Sequence, residues 1–249
     1  MMNSLTRLAR AEARLFLREP IVLIFVFAFP VITVLVLGGV FNKSDTAFEG
    51  AVPSDYYVAG YIGVVLAAIG LIMLPVHLAS YRERGVLRRF RTSQFASWAL
   101  PVAWAAVALV LSIIAIAVRL VAGAVVYGLP APPDMARTLT GIALATLTFI
   151  SIGILLGTVL PTARSAQGLG LMLFFPLFLL GGGGPPPQAM SNVMRRISNL
   201  LPLTHAIRAI QQPWLSIGGS STNHLIVLTA LFLTTTSTWI YLTTRAPRH

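Results

Sequence analysis

The chain has 249 residues, 56% of them hydrophobic and only 10% charged, with a mean hydropathy of +0.82. Soluble domains carry roughly 25% charged residues, so this composition excludes an ordinary water-soluble domain, and the lack of cysteine excludes a disulfide framework, a thiolate metal site and a cysteine nucleophile. The net charge of +11 comes from arginines and one lysine, Lys43, set in short clusters between apolar runs, with no basic stripe or aromatic platform, which argues against nucleic-acid binding.

Residues 4–19 read as an amphipathic helix lying on the inner leaflet. Arg7, Arg10, Arg14 and Arg18 form one stripe at helical spacing, and Leu5, Leu8, Leu15 and Phe16 form another face. Pro20 ends this segment. Glu12 falls within the apolar face with no arginine three or four residues away, which predicts a contact with another segment or subunit, or a carboxylate reaching the headgroups. No small-residue cleavage site follows the first apolar run, so the beginning of the chain does not read as a cleavable signal peptide.

A span needs about 20 apolar residues to cross the hydrocarbon. Residues 21–41 supply the first, with Pro30 as a kink, and residues 56–78 the second, opening on Tyr56, Tyr57 and Tyr61 as an aromatic belt. Residues 80–98 are too polar to cross. Residues 99–127 and 139–160 give the third and fourth spans, residues 166–180 a short fifth, and residues 225–242 the sixth. The fold class predicted is therefore an all-α membrane protein with six spans.

Between the last two spans, Gly181-Gly182-Gly183-Gly184-Pro185-Pro186-Pro187 cannot continue a helix. The fifth span then covers only about 22 Å, and irregular backbone at membrane depth must be buried in protein or line a wet cavity. Met190, Val193, Met194, Ile197, Leu200 and Leu201 recur at three- and four-residue steps up to Pro202, and a second short helix is predicted over 203–212. Residues 181–212 thus predict a re-entrant outer hairpin.

Orientation follows from the arginines. With the N-terminus inside, Arg7, Arg10, Arg14, Arg18, Arg82, Arg84, Arg88, Arg89, Arg91, Arg164, Arg245 and Arg248 lie on the inner side. The short outer loops hold only Lys43 and Arg137 against Asp45, Glu49, Asp55 and Asp134. Both termini are therefore predicted to be cytoplasmic. Arg119 falls about 30 Å along the third span from its inner end, where it is expected to snorkel to the outer headgroups.

Titratable groups offer little chemistry at membrane depth. All seven acids lie in loops, the interfacial helix or span ends, which argues against a proton- or cation-coupled carrier. His77 and His205 belong to opposite ends of the spans and make no relay, and with His224 they lack metal-site spacing. No nucleophile–base pair or metal cluster suggests an intramembrane enzyme.

The amphipathic start, six spans, the charged loop after the second and the broken fifth span resemble the type-2 permease family of ATP-binding-cassette exporters. Two stretches carry the likeness most sharply. One is Arg82-Glu83-Arg84-Gly85-Val86-Leu87-Arg88-Arg89-Phe90, similar to the family's charged segment before its coupling contact. The other runs from Phe174-Phe175-Pro176-Leu177-Phe178 through the Gly-Pro break to Leu200-Leu201-Pro202-Leu203-Thr204-His205-Ala206-Ile207-Arg208, similar to the family's re-entrant hairpin. Arg88 stands where family members commonly carry a second acid, Gln94 where a proline often follows, and the triple proline is unusual.

The resemblance implies a partner arrangement. Two ATP-binding-cassette ATPase subunits, holding ATP and magnesium, would serve this chain and a second copy of itself or a similar permease. Arg82, Glu83, Arg84, Val86, Leu87, Arg88 and Phe90 would form the ATPase-coupling surface, with Glu83 as charge partner. A pathway between the permeases would be lined by the second and fifth spans through Met73, Met172, Phe174, Phe175 and Phe178, suited to a hydrophobic or amphipathic cargo such as a drug or antibiotic-like compound, or a lipid or lipid-linked glycan. The chain itself has no phosphate-cradling glycine loop followed by Lys-Ser or Lys-Thr, so no cofactor and no ATP hydrolysis are expected of it. A bacterial plasma membrane location is implied, with membrane lipid as the surrounding partner.

Overall fold

The structure, a computed structural model, describes residues 24, 28–40, 48–85 and 99–245. The expected interfacial helix over 4–19, most of the first half of the 21–41 span and the 86–98 part of the polar segment lie outside those residues. Among the described residues there are helices and turns and no strand.

The described residues form nine α-helices in chain order: α1 (Phe29–Val40), α2 (Pro53–Ala68), α3 (Leu74–Glu83), α4 (Ala99–Tyr127), α5 (Met135–Val159), α6 (Ala163–Leu180), α7 (Asn192–Ser198), α8 (Pro202–Leu215) and α9 (Thr222–Arg245). A π turn, Ile69–Met73, joins α2 to α3 without a break, making one helix over Pro53–Glu83. Five helices among the described residues are long and apolar enough to cross a membrane: Pro53–Glu83, Leu100–Tyr127, Met135–Val159, Ala163–Leu180 and Thr222–Thr244. Of the expected 21–41 span, the described residues include α1, 12 residues long.

Local chemistry sets the ends. Pro53 opens α2, where its missing N–H costs nothing, and Asp55 sits in the first turn against the positive end of the helix dipole. Asp134 caps α5 by accepting from the Arg137 backbone N–H at 3.0 Å. Thr162 and Ser165 make a reciprocal capping box on α6. This box starts α6 three residues before the expected span, lengthening it to 18 residues, about 27 Å. Gly85, at φ +66°, closes α3 in a conformation that favours glycine.

The Pro53–Glu83 helix is the shaft of the bundle. Its apolar stretch is 94% buried, against 28% for α4, 22% for α6 and 6% for α9. Every other long helix except α9 packs on it, and α9 lies along α5 and α8. Helices buried all round need other helices for solvent, while the outer faces of α4, α6 and α9 carry exposed Val121, Val125, Met172, Leu179 and Leu233.

Two prolines explain how the shaft and α8 seat against their neighbours. Pro75 has no N–H for the Leu71 carbonyl four residues back, and the helix takes its π turn there. Pro213 likewise has none for Ala209. Each of these carbonyls lies against a glycine of another helix: a side chain at Gly170 in α6 would collide with the Leu71 oxygen, and one at Gly141 in α5 with the Ala209 oxygen. Gly153 meets the Gly70 carbonyl in the same way. Small residues permit backbone-to-backbone approach where lipid gives no hydrophobic drive, and polar side chains hold the pair. The α5–α9 pair shows the second device: Thr148 donates to the Leu228 carbonyl at 3.1 Å, and the Ser151 and Thr235 hydroxyls lie 2.7 Å apart.

The tyrosine belt expected at the start of the second span is not a belt. Tyr56, Tyr57 and Tyr61 are buried, stacked edge-to-face with one another and under Phe48, because segment 181–215 folds over them.

Candidate functional site

The two ends of the shaft carry different chemistry. At the Glu83 end, Glu83 and Arg84 are exposed. The Glu83 carboxylate accepts from the Ala163 N–H at 3.0 Å, at the first turn of α6. Arg82, half-buried, donates to the Leu160 carbonyl at 3.4 Å. These contacts tie the end of the shaft to the α5–α6 turn. Val86, Leu87, Arg88 and Phe90 lie outside the described residues.

At the opposite end, α7 and α8 cover the shaft. The Tyr61 hydroxyl donates to the Gly183 carbonyl at 2.5 Å and the Tyr57 hydroxyl to the Gly184 carbonyl at 3.2 Å. The glycine-proline break is thus satisfied by side chains of the shaft, as backbone without water requires. Helix α8 lies antiparallel to the first turns of α2, with Ile207 against Gly63 and Gln211 against Gly60. Gln211 donates to the Tyr56 carbonyl at 2.8 Å. Glu49 pairs with Arg208 at 3.8 Å and accepts from Gln188, clasping the 48–52 loop to this cover.

The candidate pathway residues divide. Met73, Phe174 and Phe178 are buried inside the chain: Met73 packs in a core with Trp104, and Phe174 and Phe178 pack with Phe29 and Tyr61. Met172 (69% exposed) and Phe175 (43%) stand on the outer face of α6, at one stripe with Leu179.

Three features escape sequence reasoning. Arg119 does not snorkel: it is 2% exposed, with its guanidinium carbon 5.3 Å from the Tyr61 ring centroid. Its helix extends eight residues beyond it to Tyr127, so the guanidinium turns inward at about 12 Å below the helix end. His205 and His224, nineteen residues apart, bring their Nδ1 atoms to 2.9 Å. The Glu49–Gln188–Arg208 clasp joins three residues whose spacing carries no pattern. Among the described residues no three metal-ligating side chains gather, so the histidine pair lacks a third ligand.

The described residues thus form a buried shaft with an exposed charged tip at one end and a helical cover at the other. The sequence profile of the ABC-2 type transporters matches residues 3–214. The chain belongs to the ABC-2 type transporter family. No curated protein matches it. The permease is a multi-pass membrane protein, and ABC-2 membrane domains work with ATP-binding-cassette ATPase partners. The profile match takes in the shaft, the Glu83 tip and all but the last residue of α8, with α9 beyond it.

Proposed function

We propose that this permease exports a hydrophobic or amphipathic compound outward across a bacterial plasma membrane, driven by two separate ATPase subunits that hold the ATP and magnesium. It acts with a second copy of itself or a similar permease, with both termini cytoplasmic. Residues 181–215 dip into the outer leaflet as a re-entrant cover. The observation that carries the reading is the continuous buried helix from Pro53 to Glu83, which joins an exposed Glu83–Arg84 tip to the tyrosines that hold the cover. A push on the tip moves one packed rod rather than a chain of loops.

In this reading Arg82, Glu83, Arg84, Val86, Leu87, Arg88 and Phe90 meet the ATPase. The exposed stripe of Met172 and Phe175 on α6 faces the second permease and the cargo path, while Met73, Phe174 and Phe178 set its shape from behind. A drug or antibiotic-like cargo is favoured over a lipid or lipid-linked glycan because flexible thioether and aromatic contacts suit varied apolar shapes.

Reconstitution with the ATPase tests it. Wild-type permease co-purifies with the ATPase and moves a fluorescent amphipathic dye only when ATP is supplied. The double charge reversal Glu83→Arg with Arg84→Glu is expected to lower coupled ATPase activity at least tenfold. Dye movement without ATPase would make the chain an ATP-independent carrier, and unchanged assembly and activity in the double variant would remove the tip from the coupling surface.

A further inference from the structure

The third span keeps a full charge out of water, and the described residues give it no counter-charge. Arg119 is 2% exposed, and Nε and both terminal nitrogens have no hydrogen-bond acceptor among the described residues. The four described acids are engaged elsewhere. Glu49 holds Arg208 and Gln188, Asp55 takes the Ser54 hydroxyl, Glu83 takes the Ala163 N–H and Asp134 takes Arg137. The Tyr61 ring offers a cation–π contact, which balances only part of the desolvation of a guanidinium. A buried arginine in a span pairs with something.

The surroundings say what. Arg119 lies in a cleft between α1 and α4 whose other walls are Val31, Val34, Leu35, Ala122 and Gly123, all apolar. Beside it stand Ile32, Val36, Val118 and Val121, exposed on the outer faces of the same two helices. The Tyr127 hydroxyl donates to the Leu35 carbonyl at 2.9 Å, pinning α4 to α1 at the end nearest the α8 cover. The guanidinium nitrogens are closed off as α1 and α4 now stand, so a ligand reaches them by parting the two helices. The one that fits has an anionic head for the guanidinium and an apolar tail for the valine surface, and it arrives sideways from the bilayer.

We infer that Arg119, with Tyr61 behind it and the α1–α4 cleft beside it, binds the carboxylate or phosphate head of an amphiphile whose tail lies along α1 and α4. A planar guanidinium presents paired donors to either head group. The inference rests on the membrane reading and does not depend on coupling to an ATPase.

The test uses purified full-length permease in phosphatidylcholine nanodiscs and a photoreactive stearic acid, read by mass spectrometry of labelled peptides. Wild type is expected to be labelled on the peptides containing residues 31–35 or 119–123. Arg119→Met is expected to bind the probe at least tenfold more weakly, and Arg119→Lys to keep intermediate binding, since one charged hydrogen-bonded contact is at stake. Oleate or phosphatidylglycerol should compete, and inorganic phosphate should not. Competition by phosphatidylglycerol identifies a resident lipid; competition by oleate with phosphatidylglycerol inert identifies a free amphiphilic acid.

Equal labelling of wild type and a monodisperse Arg119→Met variant overturns the inference, as it would if a carboxylate of the chain already held Arg119. So does competition by inorganic phosphate as strong as by oleate. Should Arg119→Met fail to fold, a photoreactive stearyl alcohol on the wild type decides: labelling equal to that of the acid overturns the inference, and labelling at least tenfold weaker upholds it. None of these outcomes bears on ATP-driven transport, so a failure here leaves the proposed function standing.

Discussion

His205 and His224 show how a side-chain pair acquires a defined protonation state. The His205 Nε2 lies 2.9 Å from the Asn199 carbonyl, which can only accept, so Nε2 carries a proton. In the neutral ring Nδ1 is then an acceptor, and His224 donates its Nδ1–H across the 2.9 Å gap from α9 to α8. Burial pushes the His205 pKa below its ordinary 6.5, the Asn199 carbonyl opposes this, and Arg208 nearby lowers it further. A depressed folded value means that the unfolded chain takes up the proton first as the pH falls below 6.5. Stability contributed by the neutral pair is therefore complete above that value and is lost below it. Melting in detergent should fall between about pH 7.5 and about pH 5.5 in the wild type. His205→Gln should flatten that slope, and an equal slope in both proteins would show that the pair is not responsible.

At the scale of elements, much of the helix plan is legible from the apolar blocks, because span length is fixed by membrane thickness and read directly from composition. Helix α4 has the limits expected of the third span, Ala99–Tyr127, and the other long helices begin or end within a few residues of the limits expected of spans, displaced by Pro53, by the Thr162–Ser165 box and by the Asp134 cap. The glycine-proline break and the two short helices after it are also legible. What hydropathy does not reveal is which faces meet. All four sides of the shaft are apolar, so no pattern marks it as central, and its tyrosines read as a lipid-facing belt. The inward turn of Arg119 and the three-residue clasp at Glu49 depend on contacts between elements far apart in the chain.

The glycines make that point testable within one helix. Gly170 in α6 abuts the Leu71 carbonyl, whereas a side chain at Gly168 meets nothing within 4 Å. Gly170→Ala should destabilise by about 1–3 kcal/mol, since backbone cannot step aside as a side-chain tip can. Gly168→Ala should stabilise by up to about 1 kcal/mol through helix propensity. Opposite shifts in melting temperature are the expected result, and equal shifts would mean that α6 does not lie against the π turn.

For the whole molecule, the direction of transport depends on which end of the shaft faces the cytoplasm. The orientation proposed from the arginine distribution has the Glu83 end inside and the α8 cover outside. The chain lacks cysteine, so single substitutions report position without a background to remove. Arg84 and Ser220 are exposed at opposite ends. In intact cells, a membrane-impermeant maleimide should label Ser220→Cys, and it should reach Arg84→Cys only after permeabilisation. The reverse pattern would place the charged tip outside, beyond reach of any ATPase in the cytoplasm, and coupling through Glu83 and outward export would both fail. Labelling of both positions in intact cells would instead mean that the Pro53–Glu83 helix does not cross the bilayer, although its length of about 45 Å matches a bilayer with its headgroups.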